Sequence, residues 1–219
     1  MRSAVIVDDH PAIRVAVRSA LESSGVFTVV GEADNGPAAL GVIREHRPSL
    51  AILDLCLPKM HGLELIERLR ASQPATCVLV LSAQKESIFA SRALRAGAHG
   101  FLSKTEGMNA IVQAAQSVLS GYGVFPNSAL GGLSRPRDSE PADPLASLTD
   151  RELAVLQHLA RGMSNKEVGE ALLVSNKTVS SCKTRLLEKL NFSTLVELVD
   201  FPRAHHLARW GRRDPGRGV

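Results

Sequence analysis

The chain has 219 residues, 44% of them apolar and 22% charged, which is enough to bury two small cores and too apolar for a disordered chain. Aromatic residues make up only 4%, which argues against a stacking platform for single-stranded nucleic acid. The net charge of +4 is unevenly placed: residues 1–125 carry 12 basic against 11 acidic residues, whereas residues 148–219 carry 12 against 8, pointing to a polyanionic partner of the C-terminal third.

Short apolar runs alternate with helical stretches over the first 120 residues. Ala4–Val7, Thr28–Val30, Leu50–Leu53, Val78–Leu81 and Gly100–Leu102 read as strands, and helices are predicted near 11–24, 36–46, 62–71, 87–96 and 107–120. Five repeats of strand then helix predict an α/β doubly wound, five-stranded parallel sheet with helices on both faces. From 121 to 147 the chain turns to linker composition, with Pro126, Pro136, Pro141 and Pro144 around Gly131-Gly132. As a flexible coil, residues 131–146 would place their ends about 20–25 Å apart.

After Leu148 the pattern is purely helical. Thr149-Asp150-Arg151-Glu152 and Ser164-Asn165-Lys166-Glu167 are capping boxes, and Gly162 stops the first helix. Ser175 caps a third helix to about Leu190, and Ser193 or Thr194 opens a fourth that ends near Pro202. The layout is that of an all-α, four-helix helix-turn-helix domain over 148–202.

In a doubly wound sheet, ligands bind beyond the carboxyl ends of the strands. There the sequence places Asp8 and Asp9 after the first run, Asp54 after the third, Ser82 after the fourth and Lys104 after the fifth. Singly, Asp9 and Ser82 could be helix caps and Lys104 a solvated lysine. Jointly, they are the set that phosphoryl transfer onto a carboxylate requires. Hard oxygen ligands suit Mg²⁺, one carboxylate attacks, and an ammonium and a hydroxyl hold phosphoryl oxygens. Asp54 is the candidate acceptor, and Asp8 and Asp9 are candidate metal ligands.

The phrases VDDHP, LDLCLPKMHGLE, VLSA and GFLSK make residues 1–120 similar to the receiver domain of bacterial two-component response regulators. That resemblance implies that Asp54 takes a phosphoryl group from a sensor histidine kinase. It also implies that Cys56 offers its backbone carbonyl to Mg²⁺, that Ser82 and Phe101 form a switch pair, and that Cys56 and Gln84 tune dephosphorylation.

On the third helix of the C-terminal part, Val179, Cys182, Leu186 and Leu190 share one face. Lys177, Ser180, Ser181, Thr184 and Glu188 lie opposite, flanked by Asn176, Lys183 and Arg185. Such a face can donate to phosphates and base edges. The stretch from Leu148 to Leu190 resembles the LuxR-type helix-turn-helix of the NarL/FixJ class. MSNK, SNKTVS, KTRLLEKLN and GYGVFP further resemble its BvgA/EvgA branch, which works with hybrid sensor kinases. The resemblance implies contacts to double-stranded DNA from Asn176, Lys177, Ser180, Ser181, Lys183, Thr184 and Arg185. It also implies a homodimer on two-fold related half-sites, formed on phosphorylation, with RNA polymerase as a further partner.

The expected protein is a cytoplasmic, non-enzymatic transcription regulator switched at Asp54. No secretory leader or membrane span is expected, and Cys56, Cys77 and Cys182 make no disulfide framework. One alternative is a phosphate sink or interaction module whose helical part binds a protein. Another is a haloacid-dehalogenase-like phosphatase, disfavoured because Cys56 rather than an aspartate stands two residues after Asp54. Residues 203–219, with five arginines, His205-His206 and Trp210, read as a basic disordered tail.

Overall fold

The structure is a computed structural model. It describes residues 1–84, 86–127, 129, 144–190, 192, 194 and 197, with the side chains of residues 144 and 146 left aside. The central part of the expected linker, most of the fourth helix and the Arg-rich tail lie outside the described residues.

Five parallel strands, β1 (Arg2–Val7), β2 (Phe27–Ala33), β3 (Leu50–Leu53), β4 (Cys77–Ser82) and β5 (Gly100–Ser103), form one sheet in the order β2-β1-β3-β4-β5. The intervening helices are α1 (Pro11–Ser23), α2 (Gly36–His46), α3 (Gly62–Ser72), α4 (Glu86–Ala96) and α5 (Met108–Leu119). β3, which leads into Asp54, is the central strand, and all four of its residues are buried. Period-two alternation divides the sheet between its two helix layers. Ala4, Ile6, Leu50, Ile52, Leu79 and Leu81 pack with Val17 and Leu21 of α1 and Ile111 and Val118 of α5. Val5, Val7, Ala51, Leu53, Val78 and Val80 pack on the other side with Ile43, Leu63, Ile66 and Phe89.

β2 is longer than its apolar run. Gly31 and Glu32 continue an edge strand through backbone pairing with Val5 and Ile6, after a register shift between Ala4 and Val5. The chain does not leave the sheet after α5. The Val124 N–H donates to His99 O at 3.2 Å, and the Phe101 N–H donates to Val124 O at 2.7 Å.

A 3-10 turn, Pro144–Ser147, leads into α6 (Asp150–Ala160), α7 (Asn165–Leu172) and α8 (Asn176–Leu190). Both capping boxes form: the Thr149 and Ser164 hydroxyls accept from the Glu152 and Glu167 N–H groups, whose side chains reach back. The α7–α8 turn is tight. A methyl group on Gly169 would lie 2.8 Å from Val174 O. Leu153, Leu156, Val168, Val179, Leu186 and Leu190 fill the helical core, which continues into the α2–α4 side of the sheet core as one cluster. α6 buries Glu152 to Gln157 without a break, as a helix packed on two sides must.

Candidate functional site

The parallel register brings the strand ends to one edge. Val7 pairs with Leu53 and Leu53 with Val80, while Ser82 pairs with Ser103. The residues that follow are held by the same ladder: Asp8 N donates to Ala33 O, Asp54 N to Val7 O and Lys104 N to Ser82 O, at 2.9–3.1 Å. Asp8, Asp54 and Lys104 meet there. The Lys104 ammonium lies 2.6 Å from Asp8 Oδ2 and 2.8 Å from Asp54 Oδ2, with all three side chains at most 6% exposed. The other Asp54 oxygen accepts from the Leu55 N–H at 2.7 Å, and the other Asp8 oxygen from the His10 N–H at 2.9 Å.

The site carries more negative than positive charge. Burial raises the Asp8 carboxyl above its ordinary range and Asp54 raises it further, against the pull of Lys104. Burial works against the Lys104 charge, but Asp54 and Asp8 outweigh it and hold the ammonium above its usual range. Two buried carboxylates sharing one cation are a donor set that a hard divalent ion fits, because it would supply the missing charge. Asp9 lies beside them, its Oδ1 2.6 Å from His10 Nδ1, and Asp8, Asp9 and His10 form a group able to hold a metal ion. Asp9 is not a helix cap: His10 takes the N-cap position of α1, without a side-chain cap bond.

A glycine positions the loop that follows Asp54. Gly62, at the start of α3, donates its N–H to Leu55 O at 2.9 Å, and a methyl group there would lie 2.5 Å from Leu55 Cα and 2.6 Å from Asp54 O. Ser82 is fully buried with its hydroxyl accepting from the Gln84 N–H at 3.3 Å, and Phe101 is buried in the α2–α4 core. Neither makes a hydrogen bond to Asp54 among the described residues. Burial first, and the Asp54 charge second, push the Cys56 thiol up to about 12, so it stays protonated.

The second candidate surface is the outer face of α8. Val179, Cys182, Leu186 and Leu190 are buried inward as the periodicity predicts. Asn176, Lys177, Ser180, Ser181, Thr184 and Arg185 are exposed. Lys183 is half-buried because its ammonium donates to Asn165 Oδ1 at 3.2 Å.

A third set escaped the sequence reading because it exists only where the two halves of the chain meet. Arg92 of α4 is 8% exposed. Its guanidinium pairs with Asp150 Oδ1 at 2.5 Å and donates to the carbonyls of Leu145 at 2.9 Å and Leu148 at 2.6 Å. The Lys59 N–H, presented by a left-handed residue of φ 67°, donates to Ala171 O at 2.6 Å. His61 caps α3 through Nδ1, which accepts from the Leu63 N–H at 3.3 Å, and burial lowers its pKa. Gln157 of α6 reaches Gln84 and Cys56. The unbroken apolar run around Gln157 was the one sequence signal of this second packing face.

Residues 4–116 match the family model described as response regulator receiver domain, and residues 146–201 the one described as bacterial regulatory proteins, luxR family. The regulator of virulence factors BvgA from Bordetella pertussis is 46% identical over 93% of this chain and 98% of its own. The DNA-binding transcriptional activator EvgA of Escherichia coli is 33% identical over 91% of this chain and 96% of its own. The RcsB response regulator of Salmonella typhimurium shares the fold at a TM-score of 0.75 and 24% identity, covering 93% of this chain and 98% of its own. The receiver domain of NarL from Mycobacterium tuberculosis is 41% identical with a TM-score of 0.53, covering 55% of this chain and 97% of its own. None of the described helices is long and apolar enough to cross a membrane. The chain belongs to the two-component response regulators that join a receiver to a LuxR-type DNA-binding domain and control transcription.

Proposed function

We propose that Asp54 is the phospho-acceptor of this regulator and that the outer face of α8 reads double-stranded DNA. The observation that carries the first part is the buried Lys104 ammonium shared by Asp8 and Asp54. In the proposed step an Asp54 carboxylate oxygen attacks the phosphorus of a kinase phosphohistidine. The new O–P bond forms as the P–N bond breaks, and the leaving imidazole keeps the electron pair and takes a proton from solvent. Lys104 pairs with a phosphoryl oxygen and Ser82 donates to another, with Phe101 following Ser82 as the switch partner. Asp8, Asp9, Asp54 and the Cys56 carbonyl would hold Mg²⁺, which would supply positive charge to offset that of the transferred group.

The second part rests on the exposed hydroxyl, amide and cationic groups of Asn176, Lys177, Ser180, Ser181, Thr184 and Arg185, with Lys183 at their edge. The receiver over 1–120 and the reader over 148–202 then act as tethered modules. A phosphorylation-dependent homodimer binds two-fold related half-sites more tightly than either reader alone.

Phosphoryl uptake from acetyl phosphate with Mg²⁺, followed on phosphate-affinity gels, tests the first part: wild type is labelled and Asp54→Asn is not. Fluorescence anisotropy on DNA from the protein's own promoter region tests the second. Tighter binding by the labelled wild type alone supports the reading, and equal binding by both proteins removes the switch from it.

A further inference from the structure

The phospho-acceptor edge is not made by the receiver alone. Cys56, two residues after Asp54, receives a hydrogen bond on its sulfur from Gln84 Nε2 at 2.9 Å. Gln84 Oε1 accepts from Gln157 Nε2 at 3.2 Å, across 73 residues of sequence. The Cys56 thiol in turn points to Gln157 Oε1 at 4.0 Å. The three side chains close a ring in which each donates once and accepts once. Gln84 is 6% exposed and Gln157 3%, so neither amide can exchange its partner for water while the domains are docked.

Nothing in the helical core calls for a glutamine at this position. Gln157 stands on α6 among buried Ala154, Val155 and Leu156, where an apolar residue would pack without a polar partner. Its amide bonds the receiver side chains that stand two residues after Asp54 and two residues after Ser82. Among the described residues the receiver does not cover α8, whose polar face stays exposed. Docking therefore bears on the acceptor chemistry rather than on access to the reader helix.

We propose that Gln157 is a positioning residue of the phospho-acceptor site, acting through Gln84 and Cys56, so that the docked DNA-binding domain restrains phosphoryl uptake at Asp54. This rests on Asp54 being the acceptor. With both ends of its amide engaged, Gln84 cannot turn toward an incoming phosphoryl group, and the Cys56 segment is held in its resting position. Uptake proceeds through the form in which the ring is open.

The test is a double-mutant cycle on the full chain, reading the rate of phosphoryl uptake from acetyl phosphate with Mg²⁺. Gln157→Met keeps the volume and removes both hydrogen-bonding ends, which guards against a folding defect. It is expected to speed uptake by roughly three- to tenfold, the range that corresponds to one net buried hydrogen bond. In a Gln84→Ala background it is expected to add much less, because only the long thiol contact to Cys56 is left for it to release. A wild-type or slower rate in Gln157→Met overturns the inference, and so does an undiminished acceleration in the Gln84→Ala background. Failure of the wild type itself to take up phosphoryl, with Asp54→Asn identical, refutes the acceptor reading and this inference with it. Normal uptake with no response to Gln157 refutes this inference alone.

Discussion

Arg92→Ala isolates what holds the two domains together. The substitution removes a guanidinium that makes two charge-assisted bonds to the Leu145 and Leu148 carbonyls and one ion pair to Asp150. The carbonyl bonds contribute about 1.5 kcal/mol each, as hydrogen bonds from a charged donor do. The ion pair adds at most about 1 kcal/mol, because the Asp150 side chain is 47% exposed and water screens it. Their loss weakens docking by about 3–4 kcal/mol, or roughly 100- to 1000-fold in the docking constant. Asp150→Ala, which leaves both carbonyl bonds, is expected to cost about 1 kcal/mol or less. Arg92→Lys falls between them, since one ammonium cannot reproduce the planar fork that serves three acceptors. Small-angle scattering on the full chain reads the result as a larger radius of gyration in Arg92→Ala, a small change in Asp150→Ala and an intermediate one in Arg92→Lys. Superimposable curves for wild type and Arg92→Ala would refute the reasoning, and so would a larger effect from Asp150 than from Arg92.

Other outcomes follow from the Asp8–Asp54–Lys104 edge and from α6. Gly62→Ala forces a methyl group against Leu55 Cα and Asp54 O, so it should cost about 1–3 kcal/mol in a urea melt and slow phosphoryl uptake. Lys104→Met leaves two buried carboxylates without their shared cation and should cost about 3–5 kcal/mol in the metal-free protein. Because the Asp8 carboxyl is already raised, the Lys104→Met loss should shrink as pH falls toward 4, measured as a converging urea midpoint. Mg²⁺ at ten times its dissociation constant should stabilise the wild type by about 1.4 kcal/mol, with Asp8→Asn responding less in a thermal melt. Burial, then Arg161 and His61, lower His158 to about 4. The stability this neutral imidazole contributes is complete above pH 6.5 and is lost as pH falls through 6.5 toward 4, by about 2 kcal/mol at pH 5. His61 titrates in the same direction, with Asp150 and Gln157 opposing its burial, and His158→Gln should flatten the slope between pH 7 and 5.

The strands and helices of the receiver were legible because buried parallel strands read as unbroken apolar runs and their helices carry a 3.6-residue period. Edges were less so. β2 extends through Gly31 and Glu32 because an edge strand needs only backbone pairing, which leaves no mark in side-chain pattern. Lys104 was legible only as one of the strand-end set, since taken alone it looks like a surface lysine, and its burial between two acids arises from the convergence of β1, β3 and β5. The apolar and polar sides of α8 were legible residue by residue. Arg92 was not, since an arginine beside Arg95 on an amphipathic helix looks solvated until a second domain covers it. The apolar run around Gln157 marked a second packing face, but its partners lie 73 and 101 residues away, so no local pattern names them.

The open outer face of α8 bears on how fast a signal is answered. On the proposed reading, the reader helix is free before any kinase acts, so the resting protein already holds DNA weakly, at the roughly 10⁻⁴–10⁻⁶ M of sequence-independent contacts, and travels along it. The search for target sites is then under way when phosphorylation arrives. The latency of the response is set by group transfer at Asp54 and by the meeting of two chains already on the duplex, and it lengthens with ionic strength because salt loosens the resting hold.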